Sequence, residues 1–272
     1  MSALDTVVQG VLGSKRYRGV DPKLVHRLAT DALRKHPGDA TAARKSTQRQ
    51  LHQLFGAYMP GRPRWSKLLA HIETAGTDPV ARREACVRAM STHASTQERL
   101  AGIDEHVALL AQVVRPTDRV LDLACGMGPL SWAFTDARPA SLHCVDIGVE
   151  IIEFLGKALP MLDVNATAAV GDLGAPTELP DADLAILLKA LPCLAHTLSV
   201  NEMTLLKGIP AKRFLVSWPT RSLSNKAKGM EDTYRARTLD IAERLGWTVE
   251  EHMTPGELCF VLERPEAPPS AP

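Results

Sequence analysis

The sequence lacks the cysteine pattern of a disulfide framework or of a zinc site. Its 272 residues contain five cysteines, an odd number, widely scattered and without a CxxC pair. Disulfide-rich secreted domains and structural zinc sites need cysteines paired at short, regular spacings. We therefore expect reduced thiols in a cytoplasmic protein, and we predict no metal site.

Long apolar runs are also missing. No stretch approaches the roughly 20 apolar residues of a membrane-spanning helix, and the N-terminus has no signal-peptide pattern. Hydrophobic residues make up 45% of the chain and charged residues 23%, which is typical of a globular protein. We therefore expect no membrane partner.

A net charge of only +1 conceals a strong asymmetry along the chain. Residues 1–99 contain 17 Lys and Arg against 8 Asp and Glu, whereas the remainder contains 15 against 23. A basic front half indicates contact with a polyanion, and such binding would depend strongly on salt. Amphipathic helices with solvated basic faces would give the same counts, so both interpretations stay open.

The most informative stretch is an apolar strand that runs into a turn with two glycines. It is RVLDLACGMGPL, residues 119–130, and the next apolar strand ends on Asp146. Such a unit brings a ligand against bare backbone and offers a carboxylate to a ribose. Asp172, after a third strand, can accept a hydrogen bond from an adenine amino group. These features predict a nucleoside-containing cofactor; a strand, turn and helix without a ligand is the alternative.

The charge of this turn favours S-adenosyl-L-methionine over a dinucleotide. A dinucleotide site usually has a third glycine and a row of backbone N–H groups for the pyrophosphate. Here Pro129 removes one such N–H group. Asp122 would repel a pyrophosphate but suits the cationic sulfonium and ammonium. A Walker loop is excluded, because no Gly-Lys-Ser/Thr follows.

Hydrophobic periodicity predicts helices in the front part of the chain, followed by alternating strands and helices. Ser95 and Glu98 form the pattern of a capping box at the start of a long helix. Strands are predicted at 120–124, 142–146, 167–171, 184–188 and 213–217, with a terminal hairpin about Pro255-Gly256.

This order predicts an α/β fold, the class I (Rossmann-like) methyltransferase sheet with a reversed last strand and an N-terminal helical domain. Three segments are predicted. Residues 1–92 form a helical, basic, RNA-docking domain, residues 93–264 the methyltransferase domain, and residues 265–272 a disordered tail.

Several cations are candidates for the acceptor side. Lys189 follows the fourth strand, where methyltransferases commonly place the residue nearest the methyl group. A cation there is favourable only beside an anion such as nucleic-acid phosphate, and a Lys paired with an ordinary acid is the alternative. Phosphate contacts are also predicted from two basic segments, at Lys15 and Arg16 and at Arg221, Lys226 and Lys228. A basic helix end and a solvated loop explain these segments equally well.

The chain lacks the Asn/Asp-Pro-Pro-Tyr/Phe stretch that often binds an exocyclic amine. Pro192-Cys193 is the only formal match to the nucleophile of cytosine C5 chemistry. Guanine N7 needs neither, since its lone pair is already nucleophilic and positioning with exclusion of water suffices. The missing general base therefore favours an acceptor of that kind, and C5 chemistry stays open.

Seven segments occur in order over nearly the whole chain: SKRYR, QLHQLFGAYM, STHASTQERLAGID, DLACGMGPL, LLKALPCL, SWPTRSLSNKAKGME and GELCFVL. Together they resemble the aminoglycoside-resistance 16S rRNA guanine-N7 methyltransferases of antibiotic producers and resistant pathogens. The resemblance implies methylation of one guanine N7 in helix 44, the decoding site, of the assembled 30S subunit. It also implies resistance to 4,6-disubstituted deoxystreptamines such as gentamicin and kanamycin, and no DNA partner.

The resemblance further implies the site residues. Arg99 would pair bidentately with the methionine carboxylate. Lys189 and Met230 would position the target base, and no catalytic residue is assigned with certainty. The implied cofactor contacts are Tyr58, His93, Ala94, Ser95, Arg99, Ala124, Gly126, Asp146, Asp172, Leu173 and Leu188. Two positions depart from the family pattern: Gly128 stands where many relatives have Asn, and Thr197 where some have Gln.

Two other functions stay open. The first is a small-molecule methyltransferase whose helical region is a substrate lid, against which the basic front half argues. The second is a cofactor-binding, RNA-docking protein without catalysis.

Overall fold

Helices occupy the front of the chain, as the periodicity predicts. The protein is described by a computed structural model that covers residues 1–220 and 229–265. The front helices are α1 (Ala3–Leu12), α2 (Pro22–Lys35), α3 (Ala40–Leu51), α4 (Trp65–Ala75) and α5 (Pro79–Met90). A short π-helix, His52–Gly56, continues α3. Residues 266–272 of the predicted tail lie outside the described residues.

Polar side chains fix where these helices begin. Ser2 and Asp5 form a reciprocal capping box on α1. Asp21, Asp39 and Asp78 each accept a hydrogen bond from a backbone N–H in the first turn of α2, α3 and α5. Each such cap satisfies a donor that the helix itself leaves unpaired.

The segment before the sheet differs from the prediction. Instead of one long helix capped by Ser95, the chain forms α6 (Ala94–Arg99), a 3₁₀ turn (Leu100–Gly102) and α7 (Ile103–Val113). The residue at the N-cap of α6 is His93, which makes no side-chain capping bond. The predicted capping box is therefore wrong, and the break directs Arg99 inward, where it is 4% exposed.

Seven strands form one mixed sheet in the order β3-β2-β1-β4-β5-β7-β6. The strands are β1 (Arg119–Leu123), β2 (Ser141–Asp146), β3 (Ala166–Val170), β4 (Ala182–Leu188), β5 (Ala211–Pro219), β6 (Thr248–Thr254) and β7 (Glu257–Glu263). The first five strands pair with one another in parallel, and β7 runs antiparallel to both β5 and β6. The predicted α/β fold with a reversed last strand is confirmed.

The remaining helices connect the strands. They are a 3₁₀ helix (Gly128–Phe134) after β1, then α8 (Val149–Met161), α9 (Ala190–Leu198), α10 (Glu202–Gly208) and α11 (Met230–Leu245). No helix among the described residues is long and apolar enough to cross a membrane.

The front helices share a hydrophobic core with one face of the sheet. Leu24, Leu28 and Ile72 belong to the same buried cluster as Val120 of β1 and Leu142 of β2. Side chains of a strand alternate between the two faces, and the next residue of β1 accordingly joins the cluster on the opposite face. Because burial of apolar area is the main favourable term in folding, this shared core holds the helices on the sheet.

Candidate cofactor site

A cavity opens where the parallel strands end. Open α/β sheets bind ligands at this edge. Residues of the front helices, including Leu24 and Phe55, close it on one side. The cavity lining contains these predicted cofactor contacts: Tyr58, His93, Ser95, Ala124, Asp146, Asp172, Leu173 and Leu188. Ala94, Arg99 and Gly126 are not on the lining.

The glycine turn after β1 has an unusual backbone. Ala124 and Gly126 both have positive φ angles, 52° and 50°. A Cβ atom at Gly126 would lie 2.7 Å from Cε1 of His93, so both conformation and space require glycine there. At Gly128 the nearest atoms to such a Cβ are Nη1 of Arg99 at 3.8 Å and Oδ2 of Asp122 at 4.0 Å. A larger side chain at this position would approach the guanidinium group of Arg99 and the carboxyl group of Asp122, whose pKa burial raises to about 8.

Asp146, at the end of β2, ties two turns together. Its Oδ2 accepts the N–H of Gly126 at 2.9 Å, and its Oδ1 accepts that of Gly148 at 2.8 Å. Burial raises the pKa of Asp146, and the backbone donors partly oppose that shift. Each oxygen keeps further acceptor capacity, as a ribose diol requires.

Asp172 follows β3 and is also buried. Its Oδ1 accepts the N–H of Gly174 at 2.9 Å. Its Oδ2 accepts two hydrogen bonds from Arg27 of α2, from Nε at 2.9 Å and from Nη2 at 2.6 Å. This partner was not predictable from the sequence, because Arg27 lies on a basic, amphipathic helix far away along the chain.

One buried guanidinium nitrogen of Arg99 remains open to a ligand. Its Nε donates to Oε1 of Glu257 at 2.8 Å, whereas its buried Nη2 has no hydrogen-bond partner among the described residues. A buried, unpaired guanidinium nitrogen is costly unless a ligand satisfies it. The methionine carboxylate of the cofactor fits that requirement, since carboxylates bind guanidinium groups strongly.

Glu257, in β7, is a site residue that the sequence analysis missed. Burial opposes its ionisation, but Arg99 and Lys189 outweigh it and lower the pKa of Glu257 to about 2. Its other oxygen accepts the hydroxyl of Ser217 at 2.5 Å. The available signal was an acid at the start of a largely apolar strand, because a buried carboxylate needs a cation.

Lys189 lies in the cavity wall with its charge already paired. Its Nζ donates to Oε2 of Glu98 at 2.8 Å and to the carbonyl of Ser95 at 3.2 Å, and it lies 3.7 Å from Glu257. Its backbone has a φ of 56°, which places it in the left-handed region. The structure thus contains the ion pair that the sequence left as an alternative.

The wall formed by Tyr58 and His93 is uncharged at neutral pH. The two rings stack with their centroids 5.8 Å apart, and the backbone N–H of Ala94 donates to the carbonyl of Tyr58 at 2.8 Å. Burial, assisted by Arg99 and Lys189, lowers the pKa of His93 to about 3. Burial also raises the pKa of Tyr58 above its ordinary value. Such a wall suits a flat heterocycle.

The predicted acceptor residues lie in different places. Lys15 and Arg16 are exposed and line a groove together with Arg18 and Arg62, and Arg62 forms an ion pair with Glu150. Met230 begins α11, directly after a glycine with a φ of 75°. The predicted contacts at Arg221, Lys226 and Lys228 lie outside the described residues. No group of three or more potential metal ligands occurs in the described ranges.

The sheet order, the acids after β2 and β3 and the cavity between them are those of a class I methyltransferase with a nucleoside cofactor. Residues 13–261 match the ribosomal RNA methyltransferase (FmrO) family. The chain belongs to this family.

Similar proteins agree with this assignment over nearly the full length. The chain is 37% identical over 267 residues to a 16S rRNA (guanine(1405)-N(7))-methyltransferase of Frankia casuarinae, covering 96% of this chain and 94% of the relative. It is 32% identical to the enzyme of the same name from Micromonospora rosea, covering 96% and 97%.

Among solved structures, the 16S rRNA methyltransferase RmtF in complex with S-adenosyl-L-homocysteine is similar, with a TM-score of 0.84 and 27% identity over 97% of this chain and 99% of that one. The 16S rRNA methylase RmtB is similar with a TM-score of 0.76 and 25% identity, covering 96% and 98%. These findings confirm the predicted family, the rRNA methyltransferase class and S-adenosyl-L-methionine as the cofactor.

Proposed function

We propose that this enzyme methylates N7 of one guanine in the helix 44 decoding site of 16S rRNA, within the assembled 30S subunit. The modification confers resistance to 4,6-disubstituted deoxystreptamines such as gentamicin and kanamycin. The observation that carries this proposal is the near full-length likeness to relatives named for guanine N7 methylation of 16S rRNA. We place the enzyme in the cytoplasm, with no DNA or membrane partner.

The site supports a definite orientation of the cofactor. Asp146 accepts hydrogen bonds from the ribose hydroxyls, Asp172 with the Leu173 backbone binds adenine, and Nη2 of Arg99 binds the methionine carboxylate. When bound, S-adenosyl-L-methionine supplies the methyl group. Asp146 and Asp172 on the cavity lining, together with the buried Nη2 of Arg99, fix the cofactor at both ends, so that its reactive centre is held in one position.

The groups around the cavity favour positioning over proton transfer. His93, with its pKa lowered to about 3 by burial, carries no charge at neutral pH, and Lys189 is held by Glu98. A guanine N7 needs no base to remove a proton. We expect the target base to leave the helical stack, because a stacked guanine cannot meet the sulfonium in line. Lys189 and Met230 are the proposed positioning residues at that base.

Residues 1–92 are the proposed docking domain for the ribosome. The groove with Lys15, Arg16, Arg18 and Arg62 also contains Glu150, which pairs with Arg62, so the other three cations leave an excess of exposed positive charge there. Phosphate contacts of this kind position a protein on RNA without reading its sequence. Arg221, Lys226 and Lys228, which belong to the methyltransferase domain at 93–264, complete the proposed RNA contacts.

Cleavage mapping of ribosomal RNA tests the proposal. Primer extension after borohydride and aniline treatment of rRNA from expressing cells should show a stop at a decoding-site guanine. The same cells should grow on kanamycin and gentamicin. Cells that express Asp146→Ala should show no stop and should not grow on either drug. An unmodified guanine in cells with the folded wild-type enzyme would refute the proposal. Purified 30S subunits, naked rRNA and small substrates, compared as methyl acceptors, separate the docking enzyme from a small-molecule methyltransferase.

A further inference from the structure

Arg27 occupies one oxygen of the carboxylate that the proposed function assigns to adenine. Both of its hydrogen bonds go to Oδ2 of Asp172, whereas Oδ1 accepts only the N–H of Gly174 among the described contacts. The side chains of Arg27 and Asp172 are 29% and 8% exposed, so this ion pair is only partly screened by solvent.

The acceptor capacity of the carboxylate limits what else it can bind. Each carboxylate oxygen accepts about two hydrogen bonds. Arg27 therefore fills Oδ2, and Oδ1 keeps one acceptor position beside the Gly174 bond. Because the guanidinium fork is planar and rigid, it also fixes the direction in which that last position points. This position can accept a hydrogen bond from a donor such as an amino group.

The surroundings of Arg27 hold it in place. A Cβ atom on Gly174 would lie 2.8 Å from Nη2 of Arg27, so the chain passes directly over the guanidinium. The start of α2 is anchored to the loop after β2, where Asp21 N–H donates to the carbonyl of Ile147 at 2.8 Å. One turn before Arg27, Leu24 lines the cavity. Helix α2 thus contributes Leu24 to the wall of the pocket and an anchored charge that pairs with Asp172 of its lining.

We infer that Arg27 is a positioning residue that makes the pocket selective for a 6-amino purine over a 6-oxo purine. This inference rests on the proposed role of Asp172. With Oδ1 held toward the purine edge, an amino group donates to it, whereas a carbonyl oxygen meets a second acceptor. Without Arg27 the carboxylate can turn, which weakens the bond to adenine and relieves the clash with a 6-oxo group. Selectivity depends on such a difference in affinities.

The test compares two probes, S-adenosylhomocysteine and S-inosylhomocysteine, by titration calorimetry. The wild-type enzyme should bind the adenosyl probe about 10- to 100-fold more tightly, as expected when a charged acceptor loses its donor. Arg27→Met should reduce this ratio about 10-fold, and Arg27→Lys should give an intermediate ratio because it keeps one charged donor. In steady-state assays the Met variant should raise the KM for the cofactor and change kcat little.

Arg82→Met is the matched control. Arg82 also joins a front helix to the sheet domain, through Asp163 at 2.8 Å, but its partner Asp163 does not line the cavity, whereas Asp172, the partner of Arg27, does. The Arg82→Met variant should prefer S-adenosylhomocysteine over S-inosylhomocysteine by the same ratio as the wild type. If Arg27→Met unfolds at a lower temperature than Arg82→Met, the Lys variant decides the question.

The outcomes separate the two proposals. A strong wild-type preference that survives in both Arg27 variants would overturn the inference and leave the proposed function intact. A wild-type enzyme without preference would overturn both the inference and the adenine role of Asp172. Failure of the proposed function itself would instead appear as an unmodified decoding-site guanine, whatever the ratio of the affinities for the two probes.

Discussion

Replacement of Glu257 by Gln should lower the free energy of unfolding more than the loss of any single surface ion pair would. Glu257 accepts Nε of Arg99 at 2.8 Å and the hydroxyl of Ser217 at 2.5 Å, and Lys189 lies 3.7 Å away. The side chains of Arg99 and Glu257 are 4% and 2% exposed. Gln keeps the shape but removes the negative charge, which leaves a buried guanidinium without its counter-ion.

Two arguments give the same magnitude. Removing one partner of a buried ion pair costs about 3–5 kcal/mol, and Gln, which keeps a hydrogen bond, belongs at the lower end. Independently, although burial opposes ionisation, Arg99 and Lys189 lower the pKa of Glu257 from 4.5 to about 2. At about 1.4 kcal/mol per pKa unit, this shift corresponds to about 3 kcal/mol of stability at neutral pH.

The pKa of Glu257 also predicts a pH dependence. A carboxylate whose pKa is lowered by folding contributes its full stability above its unfolded pKa, and that contribution is lost as the pH falls through its folded pKa. For Glu257 the loss should occur between pH 4.5 and about pH 2. The Gln variant has no such group, so the difference from the wild type should shrink over this interval.

Urea unfolding at pH 7 and at pH 3 provides the measurement, with Glu251→Gln as the control. Glu251 lies in β6, the strand next to β7, and pairs with Arg235 of α11 at 2.9 Å, but these side chains are 38% and 32% exposed. Such a pair is worth about 0–1 kcal/mol. If Glu257→Gln and Glu251→Gln lose equal stability at pH 7, the buried network does not contribute as argued.

Three further predictions concern the cofactor and the RNA. Asp146→Ala should lower the affinity for S-adenosylhomocysteine at least about 10-fold in calorimetry, because it removes a charged acceptor; unchanged affinity would contradict the ribose role. Gly126→Ala should abolish cofactor binding, since its Cβ would meet the His93 ring at 2.7 Å, and a variant with normal affinity would show that the turn adapts. Lys15→Ala and Arg16→Ala should each weaken 30S binding and reduce its salt slope by about 0.7–0.9; an unchanged slope would remove that residue from the contacts.

The sheet could be predicted from sequence because its signals are local. Apolar runs that end on Asp146 and Leu188 mark strands that the structure reproduces within two residues. The glycine turn was also recognisable, because only a residue without a side chain fits against His93 at Gly126. Family membership supplied the rest of the expected site.

The charge network could not be predicted in the same way. Glu257 meets Arg99 across 158 positions of the chain, and Asp172 meets Arg27 across 145. No periodicity encodes such a pairing, because each partner obeys the local pattern of its own strand or helix. The capping-box prediction at Ser95 failed for a related reason. The helix breaks after Arg99, at Leu100–Gly102, where a Cβ on Gly102 would lie 2.6 Å from Pro255 of the terminal hairpin.

The shared core has a consequence for inhibitor design. The cavity is closed beside Asp146 and Asp172 by Leu24, Leu54 and Phe55, which belong to the front helices and not to the sheet. A compound that extends from adenosine onto this apolar wall would gain contacts that depend on the front helices. An inhibitor could therefore take its selectivity against other methyltransferases from the helical part of the pocket, and its affinity from the sheet.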